Sequence, residues 1–141
     1  IGRHVEAAPS IKQSGLEVIP TGYILIDGGK ATSVSYMSNT TPIPSDKSDI
    51  AVATALAGEL LGLKVIYLEA GSGAKNPVSS EIISRVSNAV DIPIIVGGGI
   101  RSVEQVERAF ESGANVVVIG TAVERDSELI SMIAATMKNF A

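Results

Sequence analysis

The sequence contains no cysteine, no tryptophan and a single histidine, His4. Without cysteine the chain has neither disulfides nor thiolate chemistry, which is typical of an intracellular protein, and we expect a cytoplasmic location. His4 lies far along the chain from the motifs described below, so we interpret it as a surface residue and expect no Ser–His–Asp triad. Aromatic residues make up 4% of the chain, which leaves few side chains for stacking on nucleic-acid bases.

Long apolar runs and positive charge clusters are also absent. No run approaches the roughly 20 apolar residues of a membrane span, and residues 1–10 lack the apolar core of a signal peptide. The net charge of −4 argues against a nucleic-acid partner. With 141 residues, 45% of them hydrophobic, the chain is predicted to form one domain, residues 1–141. It begins at Ile1 rather than at methionine, which is consistent with a fragment or with the ordered part of a longer chain.

Four short runs rich in β-branched residues either stop immediately before glycine or run into it. Such continuous apolar runs are typical of strands buried on both faces of a parallel sheet. The predicted strands are residues 22–27, 64–70, 92–99 and 115–122.

Helical patterns alternate with these strands. Ile82, Ile83 and Val86 share one stripe, and Ser102 with Gln105 has the spacing of a capping box. The predicted helices are residues 48–61, 79–90, 102–113 and 126–140, with a further short helix over residues 5–15 that is interrupted at Pro9.

The alternation of strand and helix predicts an α/β fold with right-handed crossovers, either an open doubly wound sheet or a (β/α)₈ TIM barrel. We favour the barrel, because successive strands end in glycine-rich segments that would converge at one rim, where barrels build their sites. Four βα units make about half of a barrel, whose usual length is about 250 residues. The chain is therefore predicted to be the C-terminal half of a phosphate-binding barrel.

Two strand–glycine–helix junctions, residues 97–105 and 120–128, are candidates for phosphate binding. Glycine lets a phosphate oxygen reach main-chain N–H groups, and a following helix start offers unpaired donors. Gly98, Gly99, Gly120 and Thr121 are therefore predicted to hold a phosphate, whereas Gly62 and Gly113 are interpreted as ordinary helix ends. Arg101 could add a charge to this site or could be a solvated helix start.

The segment YLEAGSG, residues 67–73, places Tyr67 and Glu69 on one side of a strand that ends in bare backbone. A carboxylate within a phosphate cradle would repel the anion, so we expect Glu69 and Tyr67 to face neutral hydroxyls beyond it. The alternative is a rim salt bridge for Glu69 and a core position for Tyr67. Asp27 ends the preceding strand, and turn capping is its simplest interpretation.

Four segments, in this order and spacing, resemble geranylgeranylglyceryl phosphate synthase, the archaeal prenyltransferase that makes the first ether bond of membrane lipids. They are YILIDGGKATSVSYMSNTTPIP, YLEAGSGAKNPV, IIVGGGIRS and VVVIGTAVE. The bacterial heptaprenylglyceryl phosphate synthases share the phosphate motifs, but DGGKATSVSYMSNT looks more like the archaeal branch.

The resemblance implies a barrel that binds sn-glycerol 1-phosphate and transfers a geranylgeranyl group to it from geranylgeranyl diphosphate. Glu69 would take the proton of the attacking hydroxyl and Tyr67 would orient it. Tyr36 and Met37 are candidates for the prenyl groove, and the family suggests a homo-oligomer. The implied glycerol phosphate site comprises Tyr67, Leu68, Glu69, Ala70, Gly71, Ser72, Gly73, Gly98, Gly99, Gly120 and Thr121.

The resemblance has two departures. Many relatives carry asparagine where this chain has Thr121, which keeps the main-chain donor but changes the side chain. The family's Mg²⁺ ligands, an Asp near the first strand and a Ser or Thr near the second, match no position here, so we expect them upstream of Ile1 and assign no metal ligand in this chain.

Two alternatives remain open. One is another phosphate-binding barrel enzyme that acts on a phosphosugar or uses FMN. The other is a catalytically inactive half-barrel that packs with a copy of itself, because four strands leave two unpaired edges.

Overall fold

The computed structural model of the chain describes residues 4–137 and forms a four-stranded parallel sheet in the order β1-β2-β3-β4. A doubly wound sheet reverses its order near the middle, whereas a barrel adds each strand beside the previous one. The sequential order observed here is that of consecutive barrel strands. The strands are β1 (Thr21–Leu25), β2 (Val65–Glu69), β3 (Ile94–Gly97) and β4 (Val116–Val118).

Seven helices lie within the described residues, and the predicted ones are found with shorter ends. Ser79 and Ser102 each accept a hydrogen bond from the main chain of the first helical turn, and each sets the helix start at the next residue. The helices are α1 (His4–Ser14), α2 (Ser33–Ser38), α3 (Ser48–Leu60), α4 (Ser80–Ser87), α5 (Val103–Glu111), α6 (Thr121–Arg125) and α7 (Glu128–Met137).

The helix predictions need correction at four helices. Helix α1 runs through Pro9 without interruption. Proline removes one donor, toward the carbonyl of Val5, and the whole of α1 is exposed, so solvent can replace that bond. Helices α2 and α6 were not predicted, because each is only about one or two turns long and lacks an amphipathic stripe. The predicted last helix begins at Glu128, and residues 138–140 of it lie outside the described residues.

One hydrophobic core lies between one face of the sheet and helices α3, α4 and α5. Alternate residues of β2, Ile66 and Leu68, are fully buried in it, as is the predicted stripe of α4. The opposite face of the sheet is more open: Tyr23 of β1 is 49% exposed and Val116 of β4 is 47% exposed. Burial on both faces is therefore found only in part, because Leu25 and Glu69 on this face are each 6% exposed whereas Tyr67 is half-buried.

No helix among residues 4–137 is both long enough and apolar enough to cross a membrane.

Candidate functional site

The strand register places Glu69 at the carboxyl end of the sheet, beside a residue without a side chain. Glu69 pairs with Leu25 of β1 on one side and with Gly97 of β3 on the other. A Cβ at position 97 would lie 3.0 Å from Glu69 Oε2 and would also collide with the Tyr67 hydroxyl. Gly97, which the sequence analysis did not single out, therefore provides the space that both side chains occupy.

Glu69 is buried, with 6% of its surface exposed, and its carboxylate is held in place. Oε1 accepts a hydrogen bond of 2.6 Å from the main-chain N–H of Gly71. A buried carboxylate is stable only when hydrogen bonds replace its water, and this bond is one such replacement. The alternative of a rim salt bridge is not observed, because neither of the two ion pairs in the described part of the chain includes Glu69.

Tyr67 lies two residues before Glu69 and is kept neutral by its surroundings. Burial raises the pKa of its hydroxyl above the ordinary value, and hydrogen bonding to Glu69 and the charge of Glu69 raise it further. The phenol therefore keeps its proton beside the carboxylate. Its ring contacts Tyr23 edge to face, with ring centroids 5.0 Å apart, and burial together with Glu69 also raises the pKa of Tyr23.

A cavity of about 690 Å³ lies over the carboxyl ends of the four strands. Residues from the segments that follow all four strands line it, so the convergence predicted for the glycine-rich segments is observed. The predicted site residues that line this cavity are Tyr67, Glu69, Ser72, Gly73, Gly98, Gly99, Gly120 and Thr121.

Three predicted site residues do not line the cavity. The side chains of Leu68 and Ala70 belong to the hydrophobic core on the other side of the sheet, and the Ala70 N–H donates to Gly97 O at 3.0 Å. The Gly71 N–H is used by Glu69, and Gly71 itself is covered by Thr32. Because these two N–H groups are already paired, the structure lends no support to a contact between them and a phosphate.

The remaining glycines leave main-chain donors available. Across residues 4–137, no acceptor pairs with the N–H groups of Gly98, Gly99 or Gly120. Gly98 and Gly99 have φ angles of +80° and +73°, a backbone conformation that other residues adopt only with strain. Three unpaired N–H groups beside one cavity form a set of donors suited to the oxygens of an anion.

The N-terminus of α5 contributes less to this site than the sequence analysis predicts. Ser102 Oγ accepts from the Gln105 N–H, and Gln105 Oε1 accepts from the Arg101 N–H at 2.7 Å, so the helix caps itself. The reciprocal bond of the predicted capping box is thus displaced by one residue. The converging glycine N–H groups, rather than the dipole of this helix, are the local feature that favours an anion.

The sequence allows Arg101 to be either a charge for the phosphate or a solvated helix start. The structure shows a different role. The Arg101 guanidinium donates to the main-chain oxygen of Lys75 at 3.1 Å and also to that of Ala74. It therefore fastens the segment after β2 to the segment after β3. Asp27 caps a turn as predicted, since its Oδ1 accepts from the Gly29 N–H at 2.8 Å.

Several lining residues were not among the predicted site residues. Tyr23, Lys30, Val34 and Arg125 line the same cavity. Tyr23 could have been inferred from the pairing of β1 with β2, which sets it opposite Tyr67. His4 is exposed, as predicted, and Tyr36 and Met37 lie on α2 with 85% and 71% of their surfaces exposed.

A metal site is not evident in this cavity. Within the described residues, no three His, Asp or Glu side chains lie close enough together to hold a metal ion. Glu69 and Asp27 both use a carboxylate oxygen to accept a main-chain N–H. These residues do not fit a Mg²⁺ site, and the location of the Mg²⁺ ligands stays a prediction.

Comparison with known proteins agrees with this geometry. The model of the PcrB family matches residues 1–138. Proteins named geranylgeranylglyceryl phosphate synthase are 58% identical over 134 residues in Chitinophaga pinensis and 53% identical over 140 residues in Spirosoma linguale. The aligned residues are 95% and 99% of this chain but 53% and 56% of those proteins, so the chain spans about half the length of the curated relatives it matches.

A solved structure also matches. It is (S)-3-O-geranylgeranylglyceryl phosphate synthase from Thermoplasma acidophilum in complex with its substrate sn-glycerol-1-phosphate, with a TM-score of 0.91 and 35% identity. The match covers 98% of this chain and 56% of that one. The prediction of four βα units of a TIM barrel is confirmed. The relatives come from bacteria as well as from Thermoplasma, so they do not support an assignment to the archaeal branch.

Proposed function

This chain belongs to the PcrB family, and from that premise we propose that it carries the acceptor site of a Mg²⁺-dependent prenyltransferase. The proposed reaction joins geranylgeranyl diphosphate to sn-glycerol 1-phosphate and gives geranylgeranylglyceryl phosphate and diphosphate. It is an ether-forming step of membrane lipid synthesis. In this proposal the segments at the ends of β2, β3 and β4 bind glycerol phosphate, and residues outside them supply the magnesium ligands.

One observation carries the proposal: a cavity that holds both unpaired glycine N–H groups and a fixed carboxylate. The N–H groups of Gly98, Gly99 and Gly120 suit a phosphate, while Glu69 suits the hydroxyls of the same molecule. Phosphate and carboxylate repel each other, so a ligand with a phosphate at one end and hydroxyls at the other satisfies both groups. Glycerol phosphate is such a ligand, and it is the substrate bound in the Thermoplasma structure.

The chemistry follows from these placements. A glycerol hydroxyl oxygen attacks the allylic carbon of the prenyl donor; a C–O bond forms, and the bond between that carbon and the diphosphate breaks with its electron pair on the diphosphate. Glu69 accepts the hydroxyl proton, and the neutral Tyr67 phenol keeps the carboxylate oriented. Fixing the phosphate fixes the position of the hydroxyl, which supplies a large proximity effect.

The prenyl chain needs an apolar surface near this cavity. Helix α2 supplies one, because Val34 lines the cavity while Tyr36 and Met37 extend outward from the same helix. We propose that the tail crosses α2 as it leaves the site. Assembly as a homo-oligomer stays a prediction, which light scattering of the purified protein would test.

Ligand-dependent thermal stability tests the proposal. A ligand at 100 times its Kd stabilises the folded state by about 2.7 kcal/mol. We expect sn-glycerol 1-phosphate to raise the melting temperature, and its mirror image sn-glycerol 3-phosphate, a phosphosugar and FMN to raise it less. Formation of an organic-soluble product from labelled glycerol phosphate and geranylgeranyl diphosphate then tests the reaction itself. A larger shift with FMN or with a phosphosugar contradicts the proposal.

A further inference from the structure

The cavity lining is positively charged, although the whole chain carries a net charge of −4. Three cationic residues, Lys30, Arg101 and Arg125, line it, and Glu69 is the carboxylate among the lining residues. Arg101 is committed to the carbonyl oxygens of Ala74 and Lys75. Lys30 and Arg125 are therefore the lining cations whose charge is available to a ligand.

Lys30 lies in the segment between β1 and α2, immediately after the turn that Asp27 caps. Its ammonium approaches the segment after β2, where Nζ would lie 3.5 Å from a Cβ built on Gly73. Neither ion pair found in residues 4–137 involves Lys30. Lys30 therefore lies at the cavity beside the main chain of Gly73. Within the described residues no carboxylate forms an ion pair with it.

The sheet order fixes where Lys30 lies relative to the other groups. Lys30 follows β1, Glu69 ends β2, and the glycines with unpaired N–H groups follow β3 and β4. The Lys30 ammonium itself reaches the segment after β2, so it lies about one to two strand spacings, each about 4.8 Å, from the glycine donors that follow β3 and β4. Glu69, the carboxylate that is proposed to take the hydroxyl proton, ends β2, which is the strand between β1 and β3.

We propose that Lys30 binds the diphosphate group of the prenyl donor. This inference rests on the proposed function. The acceptor's phosphate occupies the glycine end of the rim, its hydroxyl faces Glu69, and the donor's diphosphate occupies the Lys30 end. The arrangement separates the two anions and places the reacting hydroxyl between them.

The ammonium acts on the charge that develops during transfer. When the bond between the allylic carbon and the diphosphate breaks, its electron pair goes to the diphosphate oxygen, whose negative charge rises. A positive side chain at that oxygen stabilises the transition state more than the bound substrate. Lys30 takes no proton and forms no bond, so its loss is expected to weaken diphosphate binding and slow turnover without affecting acceptor binding.

Calorimetric titration of Lys30→Gln with two probes, inorganic diphosphate and sn-glycerol 1-phosphate, tests the inference. We expect the Kd for diphosphate to rise about tenfold, as for the loss of one charge-assisted contact, and the Kd for glycerol 1-phosphate to change less than about twofold. The matched control is Lys64→Gln, which removes the same charge from an exposed lysine before β2, at the other end of the sheet. The control is expected to bind both probes as the unsubstituted protein does.

The other outcomes separate this inference from the function on which it rests. If Lys30→Gln weakens only glycerol 1-phosphate, the lysine belongs to the acceptor's phosphate site and the inference is overturned. Unchanged affinity for both probes also overturns it, and so does equal weakening of diphosphate binding by Lys64→Gln. If the unsubstituted protein fails to bind glycerol 1-phosphate, the proposed function itself fails.

Discussion

The carboxylate of Glu69 accepts the main-chain N–H of Gly71 at 2.6 Å, two residues further along the chain. This bond closes a tight turn at the end of β2 and holds the Glu69 carboxylate at the cavity. Gly71 has a φ angle of +98°, and a side chain there would collide with Thr32. The glycine-rich segment after β2 therefore has two roles. It holds the carboxylate in position, and it exposes main chain to a ligand.

We predict that Glu69→Gln lowers turnover about 10²–10⁴-fold, the range for losing a general base, with little loss of stability. Glutamine retains an oxygen that can accept the Gly71 N–H, but it cannot take a proton from a glycerol hydroxyl. Steady-state kinetics at saturating glycerol phosphate measure the effect.

Two further variants control this prediction. Glu111→Gln removes an equal charge at the exposed end of α5 and is expected to be fully active. Glu69→Ala leaves the buried Gly71 N–H without its acceptor and should lower the free energy of unfolding by about 1–3 kcal/mol. Normal turnover by Glu69→Gln would exclude the carboxylate as the base.

The raised pKa of Tyr67 predicts that the free energy of unfolding decreases at high pH. Its pKa in the folded protein is raised above the ordinary 10.0, so the folded state keeps a proton that the unfolded chain loses. The free energy of unfolding is then highest below the unfolded pKa and falls as pH rises through 10. We expect Tyr67→Phe to flatten this fall above about pH 10, measured by urea unfolding.

Tyr36→Phe is the matched control for that experiment, because the Tyr36 ring is 85% exposed on α2 and makes no aromatic contact with Tyr67. Its stability should fall with pH as steeply as that of the unsubstituted protein. An equally steep fall in Tyr67→Phe would mean that this phenol is not protected by burial and by Glu69.

Arg101 is predicted to support the site without contacting the substrate. In Arg101→Met the tie to the carbonyls of Ala74 and Lys75 is lost, so the segment after β2 is free to move away from Gly99. We expect the Kd for glycerol 1-phosphate to rise about three- to tenfold. Lysine should restore little of this, since one ammonium lacks the fork that reaches two carbonyls.

Arg108→Met provides the comparison for Arg101. Arg108 is exposed on α5 and donates to the Glu104 carbonyl of the same helix, so its replacement removes the same charge without loosening the site. If Arg101→Lys binds glycerol 1-phosphate as the unsubstituted protein does, charge rather than the fork is what position 101 requires.

The sequence predicted the strands and the convergence of their glycine-rich ends because both depend on local pattern. The parity of Tyr67 and Glu69 put both on one face of β2, and the glycines marked the strand ends where the cavity lies. Gly97, Tyr23 and Lys30 were missed for one shared reason. Each matters through a neighbour on another strand or segment, and that neighbour is known only from the register.

Three residues of the predicted site do not line the cavity, and the cause is related. Leu68 and Ala70 lie within a motif, but their alternation along the strand turns them toward the helices. Gly71 looked like a free donor because nothing local shows that a side chain two residues earlier would bend back to it. Pairing of main-chain groups is a tertiary property, and a motif alone does not reveal it.

Gly98, Gly62 and Gly120 differ in the atoms that an added Cβ would contact. Alanine substitutions at these positions therefore separate effects on packing from effects on ligand binding. At Gly98 a Cβ would lie 2.5 Å from Glu69 Oε1 and 2.6 Å from Gly71 N, at a φ of +80°. Gly98→Ala is therefore expected to displace Glu69 and to lower the free energy of unfolding by more than about 3 kcal/mol, from strain and overpacking together. Gly62→Ala, with a φ of +84° and no neighbour within 4 Å, isolates the strain, at about 1–2 kcal/mol.

Gly120→Ala is the third substitution of this series and tests ligand binding directly. Its φ is −110° and a Cβ there meets no atom within 4 Å, so Gly120→Ala should change the free energy of unfolding by less than about 0.5 kcal/mol. If the phosphate lies against the Gly120 N–H, the added methyl group stands where a phosphate oxygen approaches. We then expect the Kd for glycerol 1-phosphate to rise at least about tenfold in a protein of normal stability. Unchanged affinity in Gly120→Ala would mean that the phosphate binds elsewhere and that the main chain after β4 only forms a turn.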